Sequence, residues 1–254
     1  MSTPSIRAIR GGTTGAPLIV LGPSLGTSSL VWEDAAKLLG SQFSLLSWDL
    51  PGHGISAPAS SSFSVAELAD AVIELIDEPT FYYAGVSLGG GVGLELALRH
   101  PKRLDRVALI CSLAKFGKAS AWTERATLVR AQSTSVLVGA SADRWFSHGS
   151  IARLPQVTGR LLHTLADADD ESYALCCEAL ANYDLRGEIG NLTQPLLAIS
   201  GHDDPVARPE AMAELAASAP HGRAIDVTDA GHLTSAEQPA VVAQLLTNFF
   251  GKDR

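Results

Sequence analysis

A serine between two glycines stands where an apolar segment gives way to a helix-like one. Ser87 is the central residue of Gly-Val-Ser-Leu-Gly at positions 85–89, between the apolar run 81–84 and a predicted helix that includes 92–98. A Gly-x-Ser-x-Gly turn between a strand and a helix exposes the serine hydroxyl above a sheet. The flanking positions must be glycine because a Cβ there would collide with the neighbouring strand or helix. Ser87 is therefore a candidate nucleophile.

Four glycines fall within the first turns of the helix that follows this serine: Gly89, Gly90, Gly91 and Gly93. Each costs about 1 kcal/mol relative to alanine in a helix. A helix that served only as scaffold would not carry them, so their presence favours a functional turn. The alternative interpretation is a glycine-rich helix start with an incidental serine.

A nucleophilic serine needs a base and an orienting acid, which follow it in the order serine, acid, histidine in this type of arrangement. A buried strand is predicted at 195–200, and it runs into a turn that carries two carboxylates, Asp203 and Asp204. A second strand, 224–227, is followed by His232, which stands behind a glycine and just ahead of the last helix. The later part of the chain thus supplies a candidate acid and a candidate base.

His232 is one of seven histidines, and the others are weaker candidates for the base. His53 lies in Pro-Gly-His-Gly, which favours a structural turn. His202 is a rival base, but it lies on the loop that supplies the acid. The remaining four have no motif around them and are predicted to face solvent: His100, His148, His163 and His221.

With these motifs in place, the chain resembles the α/β-hydrolase superfamily over nearly its whole length. Residues 49–56, Asp-Leu-Pro-Gly-His-Gly-Ile-Ser, match one of the superfamily's turns, and 18–27 match the strand and loop that carry half of its oxyanion hole. The resemblance implies an α/β-hydrolase fold, with a mainly parallel central sheet flanked by helices and an inserted helical cap.

The same resemblance implies roles for individual residues. Asp204, three residues after Gly201, is at the position of the family's acid, which favours it over Asp203. The backbone N–H groups of Leu25 and Leu88 would hold the oxyanion that forms during attack. Ser87, Asp204 and His232 would then be the catalytic triad.

More narrowly, the chain is similar to the 3-oxoadipate enol-lactonases, also called β-ketoadipate enol-lactone hydrolases. One departure is Pro23, which stands where those enzymes usually carry asparagine. The resemblance implies a serine hydrolase that opens 3-oxoadipate enol-lactone to 3-oxoadipate in protocatechuate and catechol degradation. Four stretches carry this narrower match: 24–27, 143–146, 173–180 and 184–186.

Two other kinds of function remain open from the sequence. A similar triad and cap also occur in general carboxylesterases and in cofactor-free perhydrolases. A non-catalytic ligand-binding protein can also use this scaffold. Such binding proteins often lose a triad member, whereas all three candidate residues are present here.

The formal net charge of −8 bears on the substrate. An enol-lactone with a carboxylate would be weakly repelled by the protein's overall field, so local cations must compensate. Arg144 is the candidate because a guanidinium can hold a carboxylate through two parallel hydrogen bonds; alternatively, it is a surface residue of a cap helix. Trp145 either lines the pocket or fills the core of the cap.

Strands and helices alternate along the chain, which predicts a mainly parallel sheet. Between about 114 and 190 the strand pattern stops and amphipathic helices are predicted. We therefore expect one domain in three parts: a first core part at 1–113, a helical cap insertion at 114–190, and a second core part at 191–254. Further strands are predicted at 5–9, 17–21, 43–48 and 107–111, and a helix at 65–76 begins with Ser64 as a plausible N-cap.

The composition agrees with a single soluble catalytic domain that acts on a small molecule. No dense run of Lys and Arg is present, which argues against nucleic-acid binding, and no apolar stretch approaches a membrane span. Three cysteines and the lack of a secretory signal favour a reducing cytoplasm. Because no nucleotide-binding glycine motif and no His-Glu-x-x-His occurs, we expect no cofactor and no metal. The sequence does not indicate an oligomeric state.

Overall fold

The computed structural model describes residues 3–251 as a seven-stranded sheet with surrounding helices. Its strands are β1 (Arg7–Gly12), β2 (Leu18–Gly22), β3 (Ser44–Asp49), β4 (Phe81–Val86), β5 (Leu104–Ile110), β6 (Leu196–Gly201) and β7 (Gly222–Val227). They lie in the order β1-β3-β2-β4-β5-β6-β7, and only the pairing of β1 with β3 is antiparallel. The expected mainly parallel sheet is confirmed.

Helices occupy most of the connections between the strands. They are α1 (Glu33–Leu39), α2 (Val65–Glu74), α3 (Leu88–Arg99), α4 (Ala119–Gln132), α5 (Val138–Trp145), α6 (Ser150–Arg153), α7 (Pro155–Asp167), α8 (Asp170–Ala181), α9 (Pro209–Ser218), α10 (Thr234–Glu237) and α11 (Pro239–Phe250). The helices α4 to α8 all lie between β5 and β6, in the segment for which helices are predicted. We call residues 114–190 the cap. The outermost residues of the proposed core parts, 1–2 and 252–254, lie outside the described residues.

The first strand differs from its prediction at 5–9 because it begins at Arg7 and continues through Gly12. Its antiparallel register places Arg7 opposite Asp49 and Gly12 opposite Ser44. This strand lies at the edge of the sheet and is mostly exposed, so its sequence lacks the apolar pattern that marks a buried strand. Pairing with β3, rather than local preference, sets its length.

The helix predicted at 65–76 is observed as α2 and is capped as expected. The Ser64 hydroxyl accepts a hydrogen bond from the Glu67 backbone N–H at 3.1 Å, and the Glu67 carboxylate accepts one from the Ser64 backbone N–H at 2.8 Å. These two bonds satisfy backbone donors that have no partner within the helix, which fixes where α2 begins.

The centre of the sheet is buried on both faces. Every residue of β2 and of β6 is buried, and successive side chains of a strand point to opposite faces, so helices must cover both. Helix α3 packs against β2, β4 and β5, while α9 packs against β6 and β7. All three cysteines, Cys111, Cys176 and Cys177, are buried free thiols. No helix within residues 3–251 has the length and apolar character needed to cross a membrane.

The candidate functional residues follow the carboxyl ends of parallel strands. Leu25 comes after β2, Ser87 directly after β4, Asp204 after β6 and His232 after β7. The carboxyl ends of parallel strands share one edge of the sheet, where open α/β sheets place their ligands.

Candidate active site

Ser87 occupies a strained turn between β4 and α3. Its backbone has φ 53° and ψ −117°, a region that L-residues rarely adopt. Three hydrogen bonds hold this conformation: the Ser87 N–H donates to Ile110 O at 2.9 Å, and the Ser87 carbonyl accepts from the Ser112 hydroxyl at 2.7 Å and from Gly91 N–H at 3.0 Å. The turn is thus fixed by β5 and by the helix that follows it.

The glycines beside Ser87 allow backbone segments to approach each other closely. A Cβ on Gly85 would lie 2.2 Å from the Gly89 carbonyl oxygen. A Cβ on Gly89 would lie 2.6 Å from backbone atoms of both Gly22 and Pro23. A side chain at either position would therefore collide with the backbone, as predicted. Because both residues are glycine, the segment after β2 can pack against the start of α3.

Asp204 and His232 are in direct contact at the carboxyl edge of the sheet. The Asp204 Oδ2 atom lies 2.9 Å from His232 Nδ1, and Asp204 Oδ1 accepts a hydrogen bond from Val206 N–H at 2.7 Å. Burial alone would raise the pKa of Asp204, but the charge and hydrogen bond of His232, with two backbone N–H donors, outweigh burial and leave this pKa below its usual value. The other carboxylate of the turn, Asp203, is exposed.

The other histidines are engaged elsewhere or face solvent. His202 pairs with Asp226 on the surface, with 2.7 Å between Nδ1 and Oδ2, and this hydrogen bond raises the pKa of His202. Exposure confirms the prediction for His148, His163 and His221. For His100 the prediction is wrong: it is partly buried, and its Nε2 lies 3.1 Å from Asp70 Oδ1. His53 is buried in the loop after β3, and its ring contacts the loop that carries Leu25.

One cavity of about 310 Å³ collects most of the residues singled out in the sequence. Ser87, His232, Leu25, Arg144 and Trp145 all contribute to its lining. Ser87 and His232 both line this cavity, but within the described residues no direct hydrogen bond joins them. The hydrogen bond between a nucleophile and its base is often long until substrate binds. The volume is suited to a small molecule of a few carbon atoms.

The two backbone amides expected to hold an oxyanion lie on neighbouring segments. Leu88 is the first residue of α3, where a helix leaves its N–H groups without an internal acceptor. The Leu25 segment is bound to the start of that helix through a hydrogen bond from Gly89 N–H to Pro23 O at 3.0 Å. Neither amide, Leu25 or Leu88, has an acceptor among the residues the structure describes.

The cavity contains cations that the sequence did not single out. Arg125 and Lys118 line it together with Arg144. Burial, reinforced by the nearby charge of Arg125, lowers the pKa of Arg144. In the described part of the chain none of the three forms an ion pair with a carboxylate, so a negative group from outside can be attracted here. The guanidinium of Arg125 also lies 5.0 Å from the ring centre of Trp122. Trp122 is one turn earlier on α4, so the sequence spacing of the two residues could have indicated this contact.

Trp145 has both of the roles considered for it: it lines the pocket and fills the core of the cap. Its side chain lines the cavity, yet only 5% of the residue is exposed, and its ring lies edge-on to Phe146 at 6.3 Å between centres. The tryptophan therefore forms a rigid apolar wall next to Arg144. This wall is part of the buried interior of the cap.

Three buried side chains could be taken for a metal site. Ligand atoms of Cys111, Asp204 and His232 lie within 4.8 Å of one another. However, Asp204 and His232 are hydrogen-bonded to each other, and burial raises the pKa of the Cys111 thiol well above its usual value. A metal ligand must be a thiolate, so the arrangement is better suited to hydrogen bonding than to metal coordination.

Comparison with known proteins agrees with this geometry. A family model described as the alpha/beta hydrolase fold matches residues 17–239. The 3-oxoadipate enol-lactonase 2 of Acinetobacter baylyi is 33% identical over 231 residues, which make up 90% of this chain and 86% of that protein. A pimeloyl-acyl-carrier-protein methyl ester esterase of Nitrosospira multiformis is 29% identical over 78% of this chain and 80% of its own length.

Solved structures give the same result. The enol-lactonase from Burkholderia xenovorans LB400 superposes with a TM-score of 0.92 at 31% identity, covering 98% of this chain and 97% of that one. Its fold therefore agrees with this one over nearly the full length of both. The chain belongs to the α/β-hydrolase family and is an enzyme that hydrolyses esters or lactones.

Proposed function

We propose that Ser87, His232 and Asp204 form a catalytic triad that opens a small lactone bearing a carboxylate, with 3-oxoadipate enol-lactone as the substrate. The observation that carries this proposal is the single cavity in which Ser87 and His232 meet two arginines that have no carboxylate partner among the described residues. The enol-lactonase relatives support the choice of lactone. The reaction would belong to the degradation of protocatechuate or catechol, in the cytoplasm.

The first half of the reaction forms an ester with Ser87. His232 Nδ1 is turned towards Asp204, which leaves Nε2 to take the proton from the Ser87 hydroxyl as its oxygen attacks the lactone carbonyl. The oxyanion that forms is held by the N–H groups of Leu25 and Leu88. The ring C–O bond then breaks, the enol oxygen receives the proton from His232, and the enol relaxes to a ketone. This last change favours ring opening.

The second half releases the product. Because opening a ring detaches no fragment, the whole acyl chain stays bound to Ser87. His232 removes a proton from water, and the hydroxide oxygen attacks the ester carbonyl. Collapse of the second tetrahedral species returns the proton to Ser87 and leaves a carboxylic acid, which loses its remaining proton to solvent and becomes a new carboxylate. Asp204 stabilises the imidazolium in both halves.

The cap, residues 114–190, provides the charge that selects the substrate. Arg144 lies on α5 and Arg125 on α4, and both contribute to the cavity lining. We assign to Arg144 the carboxylate of the lactone, through paired N–H···O bonds, and to Arg125 a second contact with the same group. The indole of Trp145 would pack against the ring of the substrate.

A turnover assay with two substrates tests the proposal. Purified enzyme should hydrolyse 3-oxoadipate enol-lactone with a much higher kcat/KM than p-nitrophenyl acetate, followed in each case by absorbance. The methyl ester of the lactone's free carboxylate is the matched control, since it keeps the ring and loses the charge. A clear preference for p-nitrophenyl acetate would contradict the proposal and favour a general carboxylesterase. The Nitrosospira multiformis relative is itself named as a methyl ester esterase.

A further inference from the structure

Glu237, the last residue of α10, has a carboxylate buried between the cap and the loop of His232. Its Oε1 atom accepts hydrogen bonds from Ser147 N–H at 2.8 Å and from the Ser147 hydroxyl at 2.9 Å. Its Oε2 atom accepts one from Gly231 N–H at 2.7 Å. Only 4% of the residue is exposed, and no residue described by the structure forms an ion pair with it.

This set of partners fits an ionised carboxylate. All three contacts are N–H or O–H donors, and an ionised carboxylate only accepts hydrogen bonds. A buried charge is unfavourable unless such donors surround it. Two of the donors come from the cap and one comes from the residue before His232. The charge of Glu237 is therefore stable only while the cap and the loop stay together.

The residues on both sides of His232 touch the same cap segment. Leu233 N–H donates a hydrogen bond to Trp145 O at 3.0 Å. A Cβ on Gly231 would lie 2.8 Å from Ser147 N and 3.0 Å from Trp145 O, so glycine allows the two backbones to meet. His232 is thus carried by a loop that is attached to residues 145–147 before and after the imidazole.

A chain of hydroxyl groups extends this contact to a surface cation. Ser147 gives its hydroxyl proton to Glu237, so the hydroxyl of Ser150, 2.8 Å away, must donate to Ser147. Ser150 in turn accepts from Arg153 Nη2 at 2.8 Å. Arg153, the nearest positive charge along this series of hydrogen bonds, is therefore separated from Glu237 by two serines.

We propose that Glu237 is a positioning residue that fixes the loop of His232 to the cap segment 145–147. Arg144, which would contact the substrate, directly precedes that segment, and Trp145 is its first residue, so the substrate and the imidazole are placed by one rigid unit. This inference rests on the proposed function because it takes His232 as the base. The titratable and charged groups around the unit are Asp204, Cys111, Asp229, Arg153 and His148.

The test is the Glu237→Gln variant, which keeps the shape and removes the charge. Its amide NH₂ must face an N–H or O–H donor, so the loop loosens. We expect kcat to fall by about 10- to 100-fold at a temperature well below unfolding, with KM nearly unchanged, because small displacements of a catalytic group have effects of this size. The low-pH limb of kcat/KM should also move to lower pH, because the variant loses a negative charge that is hydrogen-bonded to the residue before His232.

Two further variants separate position from charge. Ser147→Ala removes one cap bond and keeps the charge, so kcat should fall by a smaller factor while the low-pH limb stays in place. Glu214→Gln changes an exposed glutamate on α9 and should behave as wild type. A folded Glu237→Gln enzyme with normal kcat and an unmoved low-pH limb would overturn the inference, as would a Ser147→Ala enzyme with wild-type kcat. Ser87→Ala, assayed beside them, tests the proposed nucleophile separately.

Discussion

His53 Nε2 accepts a hydrogen bond from the backbone N–H of Gly26 at 3.3 Å, while His53 Nδ1 lies 2.8 Å from Pro51 O. The second contact requires a proton on Nδ1, so Nε2 carries the lone pair. Burial disfavours the charged ring and lowers the pKa of His53 to about 4. Since Gly26 follows Leu25 directly, a neutral His53 supports the loop of one proposed oxyanion donor.

This contact predicts a specific loss of stability in mild acid. Between pH about 6.5 and about 4 the unfolded chain binds a proton on His53 that the folded protein does not bind, so the free energy of unfolding falls as the pH is lowered. The full loss from this group is about 3 kcal/mol. Urea unfolding at several pH values measures it. His53→Gln should be less stable near neutral pH and show a shallower pH dependence; equal slopes for the two proteins would contradict the prediction.

Ser87→Ala should leave a folded protein with a kcat lowered by about 10⁵- to 10⁶-fold, because triad members act as a unit. Circular dichroism checks the fold, and the enol-lactone assay measures the rate. Ser112→Ala is a useful comparison, since it removes only the hydrogen bond to the Ser87 carbonyl and should cost far less activity. Residual activity above a few per cent in Ser87→Ala would exclude the proposed nucleophile.

The two neighbouring carboxylates provide an internal control for the acid. Asp204→Asn should reduce kcat strongly, because the amide cannot stabilise the imidazolium and can favour the wrong ring tautomer. Asp203→Asn changes an exposed carboxylate and should have little effect. Steady-state kinetics of both variants at one pH decide between them. The reverse ranking would mean that the wrong residue is assigned.

Arg144→Ala should lower kcat/KM for the anionic lactone. The loss of transition-state stabilisation should be about 1.5 to 3 kcal/mol, the usual contribution of a hydrogen bond to a charged group. The loss should be absent for a neutral ester. The fall of kcat/KM at low pH should stay where it is, because that limb comes from protonation of His232 and the arginine stays charged throughout.

The design therefore compares two enzymes and two substrates across pH. An equal loss on both substrates would mean that Arg144 supports the cap rather than recognising charge. Arg125→Ala should show the same selectivity for the anionic substrate. If Arg125→Ala lowers kcat/KM equally for both substrates, Arg125 instead contributes to the packing around Trp122.

The sheet was predictable because its central strands carry their own signals. Strands such as β2 and β6 are mostly apolar runs bounded by glycine or proline, and the turn at Ser87 is marked by glycines where an added Cβ would collide. The acid and base could be placed because each follows such a strand. The length of β1 could not be predicted, since it depends on pairing with a strand far along the chain.

The residues missed by sequence reasoning depend on contacts between distant segments. Glu237 looks like an ordinary helix-end glutamate, and only the approach of Ser147, 90 positions earlier, explains its burial. Arg125 lies on a helix whose residues are mostly exposed, and nothing local reveals that α4 and α5 present their arginines to the same cavity. His53 was correctly interpreted as part of a turn, but its bond to Gly26 joins two loops.

The buried cysteines make the cap accessible to labelling experiments. Burial raises the pKa of Cys177 to about 12 and that of Cys111 and Cys176 well above the usual thiol value, so none presents a thiolate at neutral pH. A cysteine introduced at His148, an exposed position beside Ser147, would then be the one thiol that reacts rapidly with a maleimide dye. Fluorescence from that site would report whether the cap moves during turnover, without removing any native cysteine.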